Sequence, residues 1–335
     1  MKKKLGLWRK TLLGFAFLVL ILLAIGFKIY FVAPIKVEKV SYIDDYKTIS
    51  LEFDTDIILD SKTKEGIYIT DSKGVHIPLS FHLNENSRTL IIKPFDKPYS
   101  LGQNYILMVN EVQGRWFGNI KEPMLQSFNI SKLPVDESYG LGKFITEKVD
   151  NDKDYYWYVD QATTGEYAGT NCGPASAEMI GKWVDENFKG TAKEARELDY
   201  GDDGGWYTEN IKNYLDKFNI KSKIISNVTK SSMISYLKNG NILLLGIKAG
   251  EISFNDPSNK QHKDRFYWVS AGHFIIVKGY IVVDKVIYFE VYDPNSWYET
   301  YDDGSLMGIN RYYKADEVVK ASKVWYDKLL LVEPN

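Results

Sequence analysis

From Thr11 to Phe27 the chain runs without a charged residue, and apart from Lys28 the apolar character continues to Ala33. In a bilayer such a stretch can satisfy its own backbone groups only as a helix, and ~20 residues suffice to cross the hydrocarbon core. Lys28, near one end, can reach the interface with its ammonium group. Lys2, Lys3, Lys4, Arg9 and Lys10 precede the run, so residues 1–34 read as a cytoplasmic basic tip and a transmembrane helix. Everything beyond Pro34 is then extracellular. A cleaved signal peptide is the competing reading; the length of the run and the lack of an Ala-x-Ala site favour an uncleaved single-pass anchor in the cell membrane. Cys172 is the only cysteine, so a lipoprotein anchor, which needs one directly after the run, is excluded.

The rest of the chain has the composition of packed domains, with 44% apolar and 14% aromatic residues. A net charge of −2, and no Lys/Arg-rich run beyond the N-terminus, give no reason to expect a nucleic-acid partner. Residues 35–132 read as short strands: Thr48–Phe53, Gly66–Thr70, Val75–Ile77, Thr89–Lys93 and Tyr105–Val109, with turns at Ser72–Gly74 and Asn84–Asn86. That spacing predicts a β-sandwich. Phe53, Asp71-Ser-Lys-Gly74, Leu90 with Pro94, Leu101-Gly102 before Tyr105, and Gly118-Asn119 before Phe128 make the stretch similar to bacterial immunoglobulin-like domains of the S-layer type. His76 and His82 read as surface or packing residues. Ser131–Ser138, interrupted by Pro134, is the expected linker, and residues 133–335 form the next domain.

That domain holds Gly169-Thr-Asn-Cys-Gly-Pro-Ala-Ser-Ala-Glu-Met-Ile180. Ala175, Met179, Trp183 and Val184 recur at helical spacing, and Pro174 suits a first turn, where its missing N–H costs little. Cys172 therefore stands at a helix N-terminus, where free N–H groups and the macrodipole favour a thiolate. Helices are also expected at Tyr207–Phe218 and Ser231–Leu237, followed by strands Ile242–Ile247, His273–Val283, Val286–Tyr292 and Val324–Val332. Helices first and strands later predict an α+β domain with a helix packed on an antiparallel sheet. Asp150, Asp152 and Asp154 have the spacing of a calcium loop, but Tyr155 replaces the turn glycine and Gln161 stands at the bidentate position. They read as a solvated acidic turn; Asp202-Asp-Gly-Gly205 reads as a loop, and no metal or cofactor is expected. Trp157, Trp206, Trp268 and Trp297 have two readings, as the lining of a cleft or as core, with core packing the default for each.

Acyl transfer by a thiol needs a base, a group to orient it and donors for an oxyanion. His273 opens an apolar strand after the small residues Ala271 and Gly272, and Asp293 ends the neighbouring strand before Pro294. His262, the other histidine of this domain, lies in a polar loop. A two-residue turn at Asp284-Lys285 would set Asp293 opposite Ile276, on the wrong face for His273. A triad therefore needs an odd loop or a bulge.

Gln161, Asn171-Cys-Gly-Pro-Ala175, Gly272-His-Phe-Ile-Ile-Val277 and Tyr292-Asp-Pro294 together resemble the C-39-like cysteine peptidases of the papain-like superfamily, over roughly Tyr155 to the C-terminus. The resemblance implies a papain-like fold, Cys172 as nucleophile, His273 as base, Asp293 as orienting acid and Gln161 as an oxyanion-hole amide, although Gln161 lies eleven residues before the cysteine. The expected function is a membrane-anchored extracellular cysteine peptidase that cleaves amide bonds through a thioester. Its partner would be a peptide or protein substrate, with cell-wall peptide among the candidates. A non-catalytic cell-surface binding module, or a transglutaminase-like thiol acyltransferase, are the alternatives.

Overall fold

The computed structural model describes residues 14–23, 35–43, 48–95, 99–115, 118–120, 122–199 and 204–334. Most of the apolar run expected to cross a membrane lies outside them. Within it residues 14–23 are helical, and among the described residues no helix is long and apolar enough to cross a membrane. Asp202 and Asp203 of the expected acidic loop also lie outside. The chain divides into two compact units between Leu133 and Pro134.

In the first unit, strands Val37–Ile43, Thr48–Phe53, Thr89–Pro94 and Leu79–Leu83 form one antiparallel sheet in that order. Met124–Asn129, Asn104–Val109, Ile67–Asp71 and His76–Ile77 form a second. Alternation explains how they close on each other: Ile49, Leu51, Phe53, Leu90 and Ile92 from one sheet share a core with Ile67, Ile69, Leu107 and Val109 from the other. One helical turn, Ser61–Gly66, was not foreseen; the Asp60 carboxylate caps it by accepting from the Thr63 N–H at 2.8 Å.

The second unit is mixed α/β. Its antiparallel sheet runs Ser222–Ser226, Lys328–Val332, Ile242–Lys248, Gly272–Val283, Val286–Tyr292, Arg311–Lys314, and Phe144–Asp150 pairs with the far half of Gly272–Val283. The central strands carry apolar runs, Ile242–Leu245 and Phe274–Val277, because both faces are covered there. Leu244, Phe274, Ile276 and Leu330 pack under helices Cys172–Val184 and Thr208–Asp216, through Met179, Ile180, Trp183, Ile211 and Leu215. Leu243, Leu245, Ile275 and Leu329 pack under helices Lys230–Lys238 and Ala315–Ser322, through Met233, Leu237, Val318 and Ala321. Each of these buried aliphatic side chains is worth about 1.5–3 kcal/mol. Ala315–Ser322 escapes the sequence reading, as does Ala192–Asp199, a mostly charged helix that buries Ala192, Ala195 and Arg196. The last strand begins only at Lys328; Val324, Trp325 and Tyr326 are exposed before it.

Register decides what the sheet can bring together. The hairpin turn is the two-residue Asp284-Lys285, with φ of 47° and 73°, a primed turn that matches strand twist. Val283 pairs with Val286 and Gly279 with Glu290, but a bulge between Val277 and Gly279 then moves Val277 to Val291 and Ile276 to Tyr292. The residue after Tyr292 falls in line with Ile275 and so shares a face with His273. Gly279 is required there, since a side chain would collide with the Val149 carbonyl oxygen.

Lys278 sits in the bulge and is fully buried, with Nζ 2.9 Å from Asp150, 3.0 Å from Asp152 and 2.9 Å from Glu290. This corrects the reading of Asp150 and Asp152 as a solvated turn. Their charges neutralise a lysine on a distant strand, which no local spacing discloses.

Candidate active site

Cys172 opens the helix Cys172–Val184, and the loop before it is clamped. The buried Asn171 donates from Nδ2 to Thr164 Oγ1 at 2.9 Å and accepts at Oδ1 from Arg196 Nε at 2.7 Å. Arg196 also donates to the carbonyls of Thr170, at 2.9 Å, and Gly204, at 2.6 Å. A guanidinium with several fixed acceptors is a stiff brace, so the thiol is presented from a rigid turn.

The half-buried Cys172 thiol and the His273 ring line one cavity, and the imidazole, with the backbone N–H groups of Phe274 and Gly173, favours the thiolate. Burial pushes the thiol up, but the neighbouring His273 imidazolium outweighs it and brings Cys172 below its ordinary value. On the other side of the ring, His273 Nε2 lies 2.7 Å from Asp293 Oδ1. Nδ1 is then the ring nitrogen left for the thiol. Burial pulls His273 down, yet the Asp293 carboxylate and the Cys172 thiolate raise it to about 10.

Asp293 is fully buried and every acceptor position is used. Oδ1 also takes the Asn295 N–H at 3.0 Å, while Oδ2 takes the hydroxyls of Tyr267 at 2.9 Å and Tyr313 at 2.6 Å. Burial opposes its charge, but the His273 charge and these donors hold the carboxyl below the ordinary value. Sequence reasoning missed Tyr267 and Tyr313. One lies in a loop and the other in the strand Arg311–Lys314, and neither carries a local signal.

The Asp293 backbone is fixed as well. Its carbonyl accepts from the Tyr158 hydroxyl at 2.6 Å, and its N–H donates to the Gly308 carbonyl at 2.9 Å. A side chain at Gly308 would collide with the Asp293 carbonyl oxygen and the Tyr158 hydroxyl. Gly308→Ala is expected to cost about 1–3 kcal/mol, as overpacking does. An unchanged urea midpoint would contradict this account of the turn.

Gln161 lines the same cavity of about 360 Å³ as Cys172 and His273. Its backbone N–H donates to the Pro294 carbonyl at 2.8 Å, and its side-chain Nε2 to the Ala168 carbonyl at 3.2 Å. The Ala168 carbonyl can only accept, which fixes the amide nitrogen on that side and leaves Oε1 buried without a hydrogen bond. His262 lies apart from the site, its ring stacked on Tyr301 at 3.6 Å and Nδ1 3.2 Å from the Asn310 carbonyl. Of the four tryptophans given those two readings, Trp157 and Trp206 are buried; Trp268 and Trp297 are exposed, and Trp297 lines the cavity.

The four residues Gln161, Cys172, His273 and Asp293 thus converge on one cavity and its wall, within one stretch of chain. Residues 153–319 match the model of the Peptidase_C39 like family. The matched stretch contains the chain's only cysteine, Cys172. No curated protein matches the chain. Among solved structures, a putative C39-like peptidase from Bacillus anthracis is similar at 11% identity and a TM-score of 0.40, over 56% of this chain and 98% of that one. The peptidase domain of Streptococcus ComA, a bifunctional ABC transporter, is similar at 11% identity and a TM-score of 0.33, over 50% of this chain and 93% of that one. Escherichia coli alpha-2-macroglobulin spanning domains MG0-NIE-MG1 is similar at 14% identity and a TM-score of 0.25, over 30% of this chain. This chain spans 33% of the length of that fragment.

Proposed function

We propose that the C39-like unit hydrolyses peptide bonds through Cys172, His273 and Asp293, outside a membrane to which residues 1–34 anchor it. The unit before Pro134 would be an immunoglobulin-like spacer. One observation carries the catalytic reading: the chain's single cysteine shares a cavity with an imidazole that lies 2.7 Å from a buried carboxylate.

The chemistry follows from that arrangement. The Cys172 thiolate attacks the scissile carbonyl carbon; a C–S bond forms and the carbonyl electron pair moves to oxygen. The second Gln161 side-chain N–H and the Cys172 backbone N–H stabilise the oxyanion. As the C–N bond breaks, the leaving amine takes the proton of the His273 imidazolium, leaving a thioester. Water then attacks the thioester carbon and gives its proton to His273. The C–S bond breaks and returns the thiolate, and the product is an acid. Asp293 keeps Nε2–H directed at itself throughout, so that Nδ1 alone exchanges the proton.

Because Cys172 is the only cysteine, thiol reagents read it alone. Iodoacetamide is expected to alkylate it at neutral pH about tenfold or more faster than a model thiol, and His273→Ala to slow the reaction as much, since burial alone then governs the thiol. The pH profile of turnover has two limbs. Activity falls in acid as the thiolate takes a proton, at a pH below the ordinary thiol value of 9.0, and in alkali as His273 loses its proton near 10. A membrane-impermeant maleimide added to intact cells should label Cys172. A model-thiol rate indifferent to His273 would remove the peptidase reading, and no labelling without lysis would remove the extracellular one.

A further inference from the structure

The turn that carries Asp293 continues into a feature that catalysis does not require. Trp297 and Tyr298 both have left-handed backbones, with φ of 48° and 66°. For bulky side chains that conformation is a genuine outlier, and it persists only where the surroundings impose it. Here the buried Asp160 imposes it: its carboxylate accepts the Trp297 N–H at 3.1 Å and the Tyr298 N–H at 3.0 Å. The indole N–H is tied to Asn295 Oδ1 at 2.7 Å, yet the ring stays 47% exposed on the cavity that holds Cys172 and His273.

The loop between Arg265 and Gly272 supplies a second apolar group. Val269 lines the same cavity at 59% exposure, and the neighbouring Trp268 stacks on Phe254 at 3.9 Å. Ala249 and Ala271 leave the space between open. Apart from the Cys172 and His273 pair, no charged side chain among the described residues lines this cavity.

Resting on the peptidase reading, we propose that the cavity beside Cys172 is a subsite for an uncharged, apolar side chain of the peptide substrate, walled by Trp297 and Val269. Asp160 is the positioning residue that holds Trp297 in place. A carboxylate or ammonium entering here would give up its water and meet no charge beyond the Cys172 and His273 pair, which already offset each other, whereas an aliphatic or aromatic side chain would shed water and cover the indole face. Substrates are therefore polypeptide segments with apolar residues beside the scissile bond.

The test uses the full-length chain and three thiol-directed peptidyl acyloxymethyl ketones that differ only in carrying a Leu, Glu or Lys side chain. The Leu probe is expected to label Cys172 about tenfold or more faster than the other two, the discrimination an apolar pocket can supply. Trp297→Ala should erase most of that preference, and so should Asp160→Asn with Trp297 still present, because an amide group offers the two backbone N–H groups one acceptor instead of two. Val269→Glu, on an exposed loop and so tolerant of change, should shift preference toward the Lys probe. It keeps the test decisive if Trp297→Ala does not fold. Equal rates for the three probes, faster labelling by a charged probe, or a Leu preference that survives these substitutions would overturn the proposal. Iodoacetamide separates the two readings. Slow alkylation defeats the peptidase itself, whereas fast alkylation with indifferent probes defeats only the subsite.

Discussion

Asp293→Ala is expected to slow turnover by about a hundredfold to a thousandfold, the scale of other groups that support a catalytic base. The carboxylate fixes the imidazole at 2.7 Å, and it is also the charge that raises His273 to about 10 against the effect of burial. Alanine removes both, so His273 loses its orientation and the thiolate loses its cation. Asp293→Asn separates the two effects. The amide oxygen can still accept from Nε2, and the amide nitrogen would face the Tyr267 and Tyr313 hydroxyls, which can rotate to accept from it. Orientation is then retained while the charge is lost. Since the carboxylate raises His273 and burial lowers it, the alkaline limb of the Asn variant should move to lower pH, with a smaller loss at the optimum than for Ala. Full turnover in the Ala variant, at an unchanged urea midpoint, would take Asp293 out of the mechanism.

Sequence alone located the polar parts of this arrangement but not their support. Cys172 at a helix start, His273 at a strand start and Asp293 at a strand end are each marked by local pattern. Whether the last two meet depends on register, and the bulge that aligns them left one trace, the pair Lys278-Gly279 interrupting the apolar run of the strand. Tyr267 and Tyr313 complete Asp293 from two separate elements, so nothing near them in sequence discloses the role. The acidic residues near Asp150 were read as a turn because their partner, Lys278, is 128 residues away. A cleft-lining role is one of two sequence readings of Trp297, but a left-handed backbone at an aromatic residue is visible only once Asp160 is seen to hold both amides.

The second large effect lies at that distant lysine. Lys278→Met is expected to cost about 3–5 kcal/mol of stability, because removing one partner of a buried ion cluster strands the others. Glu290 is 2% exposed and keeps one oxygen without a hydrogen bond even with the lysine present. Burial already raises its carboxyl above the ordinary value. Without Lys278 to counter it, Glu290 takes up a proton more readily, so the stability lost should be greatest above its titration and shrink as pH falls through it. Lys278→Met with Glu290→Leu should recover most of the loss, since an apolar pair can replace a buried ionic one at little cost. Turnover then reports on register. Gly279 packed under the Val149 carbonyl and the pairings on either side are expected to keep the bulge, so activity should return with stability. A stable double variant without turnover would instead assign the alignment of His273 with Asp293 to the ion cluster.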